Sequence, residues 1–126
     1  MFVPNRLVIL CIDDEPNILV LRQMLLSIAG YNVLTATGPE TALEIFASNQ
    51  VDLVITDQLL PGRSGTEIAA EMKRLKPEVP ILLFSGMMDL PATMEHVDLV
   101  LTKGMTPREF LTRIEEVAAR RSSPQE

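Results

Sequence analysis

Five short apolar runs, set apart by segments of a different period, constrain this chain more than any other feature. They occupy residues 7–12, 33–36, 51–56, 81–84 and 97–101. Four are nearly continuous in Val, Ile, Leu and Phe, the pattern of strands covered on both faces, as in a parallel sheet. The run at 33–36 is weaker, as suits an edge strand. The intervening segments carry helical spacing. Ile18, Leu21, Leu25 and Ile28 share one face of a first helix, and Gly30 stands at its stop. Ala42, Ile45 and Phe46 mark a second, opened by Gly38-Pro39. Ser64 and Glu67 form a capping box ahead of Ile68, Met72 and Leu75; Thr106 and Glu109 form another ahead of Phe110, Ile114 and Val117. Residues 89–95 support only one or two turns. Strand and helix thus alternate five times, which predicts a parallel sheet with helices on both faces.

Composition narrows the function. With 126 residues, 47% of them hydrophobic, the chain can bury one full core without metal or disulfide staples. Cys11 is the only cysteine and lies inside an apolar run, so it reads as a small buried hydrophobe. A net charge of −6 argues against a sequence-independent grip on nucleic acid and against docking on anionic lipid. No apolar stretch is long enough for a bilayer. The N-terminal apolar run ends in three acids and not in a signal-cleavage site, so the expected location is the cytoplasm. The expected organisation is one domain over residues 1–121 and a polar tail over 122–126.

The chemistry gathers at the strand ends. In an open parallel sheet, ligands bind beyond the carboxyl ends of the strands. The first run leads into Asp13, Asp14 and Glu15, the third into Asp57, the fourth into Ser85 and Gly86, the fifth towards Lys103. Two carboxylates about 4 Å apart repel by about 4 kcal/mol at an effective dielectric near 20. Converging acids therefore call for a cation, and a hard divalent ion such as Mg²⁺ suits carboxylates combined with water and phosphate oxygens. A carboxylate can also be a nucleophile that holds an acyl phosphate. With Mg²⁺ on one transferred oxygen, Lys103 could meet a second and the Ser85 hydroxyl a third.

Each piece has a plainer reading. Asp14 could cap the first helix, Asp57 could be a turn residue before Pro61-Gly62, and Lys103 could be a solvated lysine. Their joint placement favours a site. His96 reads as a surface residue and the seven methionines as core filler, with Met87 and Met88 near the mouth of the site.

The set Asp13-Asp14, Asp57, Ser85 and Lys103, with the stretch from Asp57 through Pro61-Gly62 to Gly65, resembles the CheY-like receiver domain of bacterial response regulators. The resemblance spans residues 7 to 119. It implies a flavodoxin-like (βα)5 fold of strand order 2-1-3-4-5, here with a short fourth helix. It implies that Asp57 accepts a phosphoryl group from a sensor histidine kinase. Asp14, Asp57 and the Leu59 carbonyl would bind Mg²⁺ directly, Asp13 would support it through water, and Ser85 and Lys103 would read the phosphorylated state. The expected protein is a monomeric, single-domain response regulator, not a turnover enzyme, that signals by docking to an output protein or by passing its phosphoryl group onward. An interaction module of the same fold, indifferent to phosphate, is the alternative. A phosphatase with an aspartyl-phosphate intermediate ranks lower, because its two aspartates usually stand one residue apart and no cap domain is present.

Several positions depart from the family pattern. Gly104 follows Lys103 where proline and a cis bond are usual; a cis bond before a non-proline residue costs about 2.5–4 kcal/mol, so a trans Lys103–Gly104 bond is expected. Val100 stands where an inward-turning Tyr or Phe is common. The interval from Ser85 to Lys103 is about one helical turn short, which predicts a remodelled output face and no dimer through it. Leu59 and Met87 flank the mouth with apolar side chains that cannot orient an attacking water, which predicts slow loss of phosphate.

Overall fold

A computed structural model describes residues 7–86 and 95–122, and side chains as far as residue 120. The strands are β1 (Val8–Ile12), β2 (Asn32–Ala36), β3 (Leu53–Asp57), β4 (Ile81–Ser85) and β5 (Leu99–Thr102). The helices are α1 (Pro16–Ile28), α2 (Pro39–Ser48), α3 (Gly65–Leu75) and α4 (Pro107–Ser122). All strand pairings are parallel, in the order β2-β1-β3-β4-β5, as expected.

Alternation along the strands builds two cores. Ile9, Cys11, Leu53, Ile55, Leu82 and Phe84 face α1 and α4, where they meet Leu19, Leu26, Phe110 and Ile114. Leu10, Ile12, Val54, Ile81 and Leu83 face α2 and α3, where they meet Ala42, Phe46, Ile68 and Met72. Burial of each large apolar side chain contributes about 1.5–3 kcal/mol. Both predicted capping boxes form: Ser64 Oγ accepts from the Glu67 N–H at 3.2 Å while Glu67 accepts from the Ser64 N–H at 2.8 Å. Thr106 and Glu109 do the same at 3.1 and 2.8 Å.

β3 and β5 each start two residues later than the apolar runs suggest, for a common reason. The Asp52 carboxylate accepts from the Val8 N–H at 2.9 Å, and the Asp52 N–H donates to the Val8 carbonyl at 2.8 Å. Asp98 locks Ile81 in the same reciprocal way, at 2.7 and 2.8 Å. These two acids sit at the amino ends of the strands and tie β1 to β3 and β4 to β5 before the regular ladders begin.

The face expected for α1 is a correction. Leu19 and Leu26 are its buried residues, whereas Leu21 is 51% and Ile28 83% exposed. Apolar residues surround most of this helix, so spacing alone does not select a face, and the inward row at 19, 22 and 26 contains a partly buried arginine. At the C-terminus, α4 runs on to Ser122, so the helix takes the first residue of the predicted tail. The rest of that tail, and most of the segment expected to hold a short fourth helix, lie outside the described residues, as do Met87 and Met88.

Candidate functional site

Asp13 follows β1 directly and Asp57 ends β3. Cys11 pairs with Ile55 in the β1–β3 register. Asp13 and Asp57, each two residues further on, therefore extend the same two side-chain columns on the α1/α4 face. Both are 5% exposed. Asp14 is exposed beside them, and one oxygen from each of the three acids falls within 4.8 Å of the others. Asp14 is not the helix cap: Glu15 holds that position and accepts from the Asn17 N–H.

Lys103, just past β5, brings Nζ to 3.2 Å from Asp57 Oδ1. This is a charge contact; among the described residues no donor is aligned on Oδ1, which is shut off from solvent. Burial, and then the Asp13 charge, push the Asp57 carboxyl above its ordinary 3.8, while Lys103 and Arg22 pull it back. Ser85 ends β4 with 2% exposure and donates through Oγ to the Gly86 carbonyl at 3.1 Å. The structure thus brings Asp13, Asp14, Asp57 and Lys103 together, with Ser85 at the neighbouring strand end. Leu59, two residues past Asp57, is 59% exposed.

The turn after Asp57 is fixed as firmly as the strand. The Gln58 carbonyl accepts from the Gly65 N–H at 2.9 Å, and Gln58 Oε1 accepts from the Thr66 N–H at 3.1 Å. Gly62 takes a φ of 84°, in the left-handed region that favours glycine. Gly65 lets α3 begin against the Asp57 carbonyl itself.

One residue of the site was missed by sequence reasoning. Arg22, on α1, places Nη1 3.0 Å from Asp13 Oδ2, and its side chain is 12% exposed. Its Cζ lies 4.0 Å from the centre of the Phe84 ring. The available signal was its position three residues after Leu19 and four before Leu26, on the row that α1 buries.

Two buried carboxylates, a third at the rim and an undonated oxygen form an all-oxygen donor set with excess negative charge. That set fits a hard divalent cation. The sequence profile described as the response regulator receiver domain matches residues 9–115. This chain belongs to the response regulator receiver family.

Relatives of the receiver include the phosphate regulon transcriptional regulatory protein PhoB of Pseudomonas aeruginosa, 31% identical over 92% of this chain and 53% of that protein. The alkaline phosphatase synthesis transcriptional regulatory protein PhoP of Bacillus subtilis is 34% identical over 89% of this chain and 48% of its own length. The chain therefore spans about half the length of these regulators. Among solved structures, a receiver domain from Clostridium thermocellum is 35% identical with a TM-score of 0.84, covering 90% of this chain and 95% of that one. The response regulator TrrA of Thermotoga maritima, crystallised with Mg²⁺–BeF, is 33% identical with a TM-score of 0.81, covering 88% and 98%.

Within this receiver the Lys103–Gly104 bond is trans, as the glycine led us to expect. Val100 is half-buried and lines a groove with Thr102, Gly104, Met105, Arg108 and Glu109. His96 is a surface residue whose ring lies 3.8 Å from Glu95. Among the described residues no helix is long and apolar enough to cross a membrane.

Proposed function

We propose that the chain is a phospho-acceptor whose Asp57 receives a phosphoryl group from a sensor histidine kinase. The observation that carries this reading is the buried Asp57 carboxylate, with Oδ1 undonated, Lys103 at 3.2 Å and two further acids within 4.8 Å. An Asp57 oxygen attacks phosphorus, a P–O bond forms, and the bond from phosphorus to the donor's imidazole nitrogen breaks, its electron pair leaving with the nitrogen. Lys103 offsets negative charge on the transferred oxygens. Ser85 can exchange its bond to the Gly86 carbonyl for one to a phosphoryl oxygen. Asp14, Asp57 and the Leu59 carbonyl would hold Mg²⁺, with Asp13 supporting through water; the ion would supply positive charge where acceptor and phosphoryl oxygens meet.

The kinase must reach Asp57, and α1, which starts beside the site, offers it an exposed row of Val20, Leu21, Met24 and Ile28. No turnover of a separate substrate is proposed. The signal leaves by docking to an output partner or by onward transfer. Intact mass after incubation with Mg²⁺ and acetyl phosphate tests the reading. One phosphoryl adduct is expected on the wild type, and none on Asp57→Ala or without Mg²⁺. No adduct at early times would favour an interaction module indifferent to phosphate, with the surface around Val100 and Gly104 as its altered part.

A further inference from the structure

The proposed chemistry makes no use of Arg22, yet this side chain is built into the base of the site. A guanidinium withdrawn this far from solvent, with its side chain 12% exposed, needs a partner. Arg22 has two, and both belong to the site's frame. Its Nη1 donates to Asp13 Oδ2, and its Cζ rests over Phe84, the residue that pairs with Asp57 in the β3–β4 register. The side chain reaches from α1 past the end of β3 to β4. Asp13 has its other oxygen engaged as well, since Oδ1 accepts from the Glu15 N–H at 2.9 Å. Both oxygens of one acid in the trio are therefore held, one of them by a resident positive charge.

We propose that Arg22 is a positioning residue of the acceptor site, clamping Asp13 against the sheet and lowering the affinity of the three acids for Mg²⁺. The inference rests on the reading that these acids bind the ion. Two effects of Arg22 oppose each other. Orienting Asp13 favours the metal, whereas a cation in contact with Asp13 repels it. The repulsion prevails, because Asp13 keeps the Glu15 N–H without Arg22, and a unit charge a few ångströms from a divalent ion acts strongly at a partly buried site. The stacked ring also keeps the guanidinium from moving away to solvent. The site is thereby held in shape before a metal arrives, at the expense of tight binding.

Calorimetric titration with Mg²⁺ on the full chain tests this, with Arg22→Gln, Arg22→Met and Arg22→Lys beside the wild type. Gln retains a donor for Asp13 without the charge, and Met fills the space without either. Both should bind Mg²⁺ about tenfold more tightly, while Lys, which keeps the charge but not the stacked guanidinium plane, should tighten binding by less than either. Without Mg²⁺, Arg22→Met should also melt at a lower temperature than the wild type. A merely structural arginine would lower the melting point but leave Mg²⁺ affinity unchanged or weakened, and that result for Arg22→Gln overturns the proposal. If Arg22→Met does not fold, Arg22→Gln decides. Should neither the wild type nor Arg22→Gln take up Mg²⁺, this inference falls together with the metal reading. If Mg²⁺ binds in the expected ratio while Asp57 takes no phosphoryl group, the inference stands and only the acceptor reading fails.

Discussion

Replacing Gly65 by alanine sets two effects of known sign against each other. Alanine is the better helix former by about 1 kcal/mol within a helix, so propensity alone predicts a more stable α3. The space at Gly65 predicts the reverse. A Cβ built there would lie 2.7 Å from Leu83 Cδ1 and 3.2 Å from the Asp57 carbonyl carbon, and closer still to the carbonyl oxygen. Leu83 could turn, but the carbonyl belongs to the backbone of β3, between β1 and β4. The start of α3 must therefore retreat, straining the Gly65-to-Gln58 hydrogen bond of 2.9 Å. Overpacking of this kind costs about 1–3 kcal/mol; set against the propensity gain of about 1 kcal/mol, it leaves an expected net loss of up to about 2 kcal/mol, read from urea unfolding of Gly65→Ala beside the wild type. Because the clash falls on Asp57, the proposed acceptor, phosphorylation by acetyl phosphate, followed by intact mass, should also slow by about tenfold, since misplacing a reacting group by about 1 Å can cost about a hundredfold. A variant as stable as the wild type and phosphorylated at the same rate would show that the turn yields freely and that Gly65 does not fix Asp57.

Three further outcomes follow from the same geometry. Asp57→Asn should stabilise the metal-free protein at neutral pH, read as a higher urea midpoint; a carboxyl raised above 3.8 by folding favours the fold when protonated and loses that contribution as pH rises through the raised value, so the mutant's advantage should vanish as pH falls towards 3.8. An advantage that grows on acidification would contradict the sign. Asp98→Ala leaves the Ile81 N–H without its 2.7 Å acceptor and Lys73 without its 2.8 Å partner, so chemical unfolding should register a loss of about 1–3 kcal/mol, while Asp98→Asn, which keeps an acceptor, should lose less. Leu59→Asn should speed loss of phosphate from the modified protein, measured as decay of the phosphoryl adduct, because an amide can orient water where the exposed leucine does not; an unchanged half-life would discount the role of this position.

The sheet and the acidic cluster were legible because each rests on a local signal. Apolar runs mark the strands, and the polar residue that ends each run lands on one edge of a parallel sheet. What stayed hidden depends on tertiary packing. Arg22 lies on a helix whose apolar residues nearly encircle it, and only docking against β1 and β4 decides that the row of Leu19, Arg22 and Leu26 turns inward. Asp52 and Asp98 lie inside the apolar runs at 51–56 and 97–101, and their use as acceptors for a neighbouring strand appears only once register is known. Gly65 reads as a routine turn glycine until Asp57 is seen against it.

The topology also governs when the site comes into being. Every pairing is parallel and needs a crossover, and the lock between Val8 and Asp52 closes a loop of 44 residues around β2. Pairings so distant in sequence form late and slowly. Asp13 and Asp57 are strangers until β1 meets β3, so their mutual repulsion weighs on the last steps of folding and hardly on the first. A divalent cation bound by these acids would then have little to hold in the unfolded chain, and its effect would fall on the rate at which the finished domain comes apart.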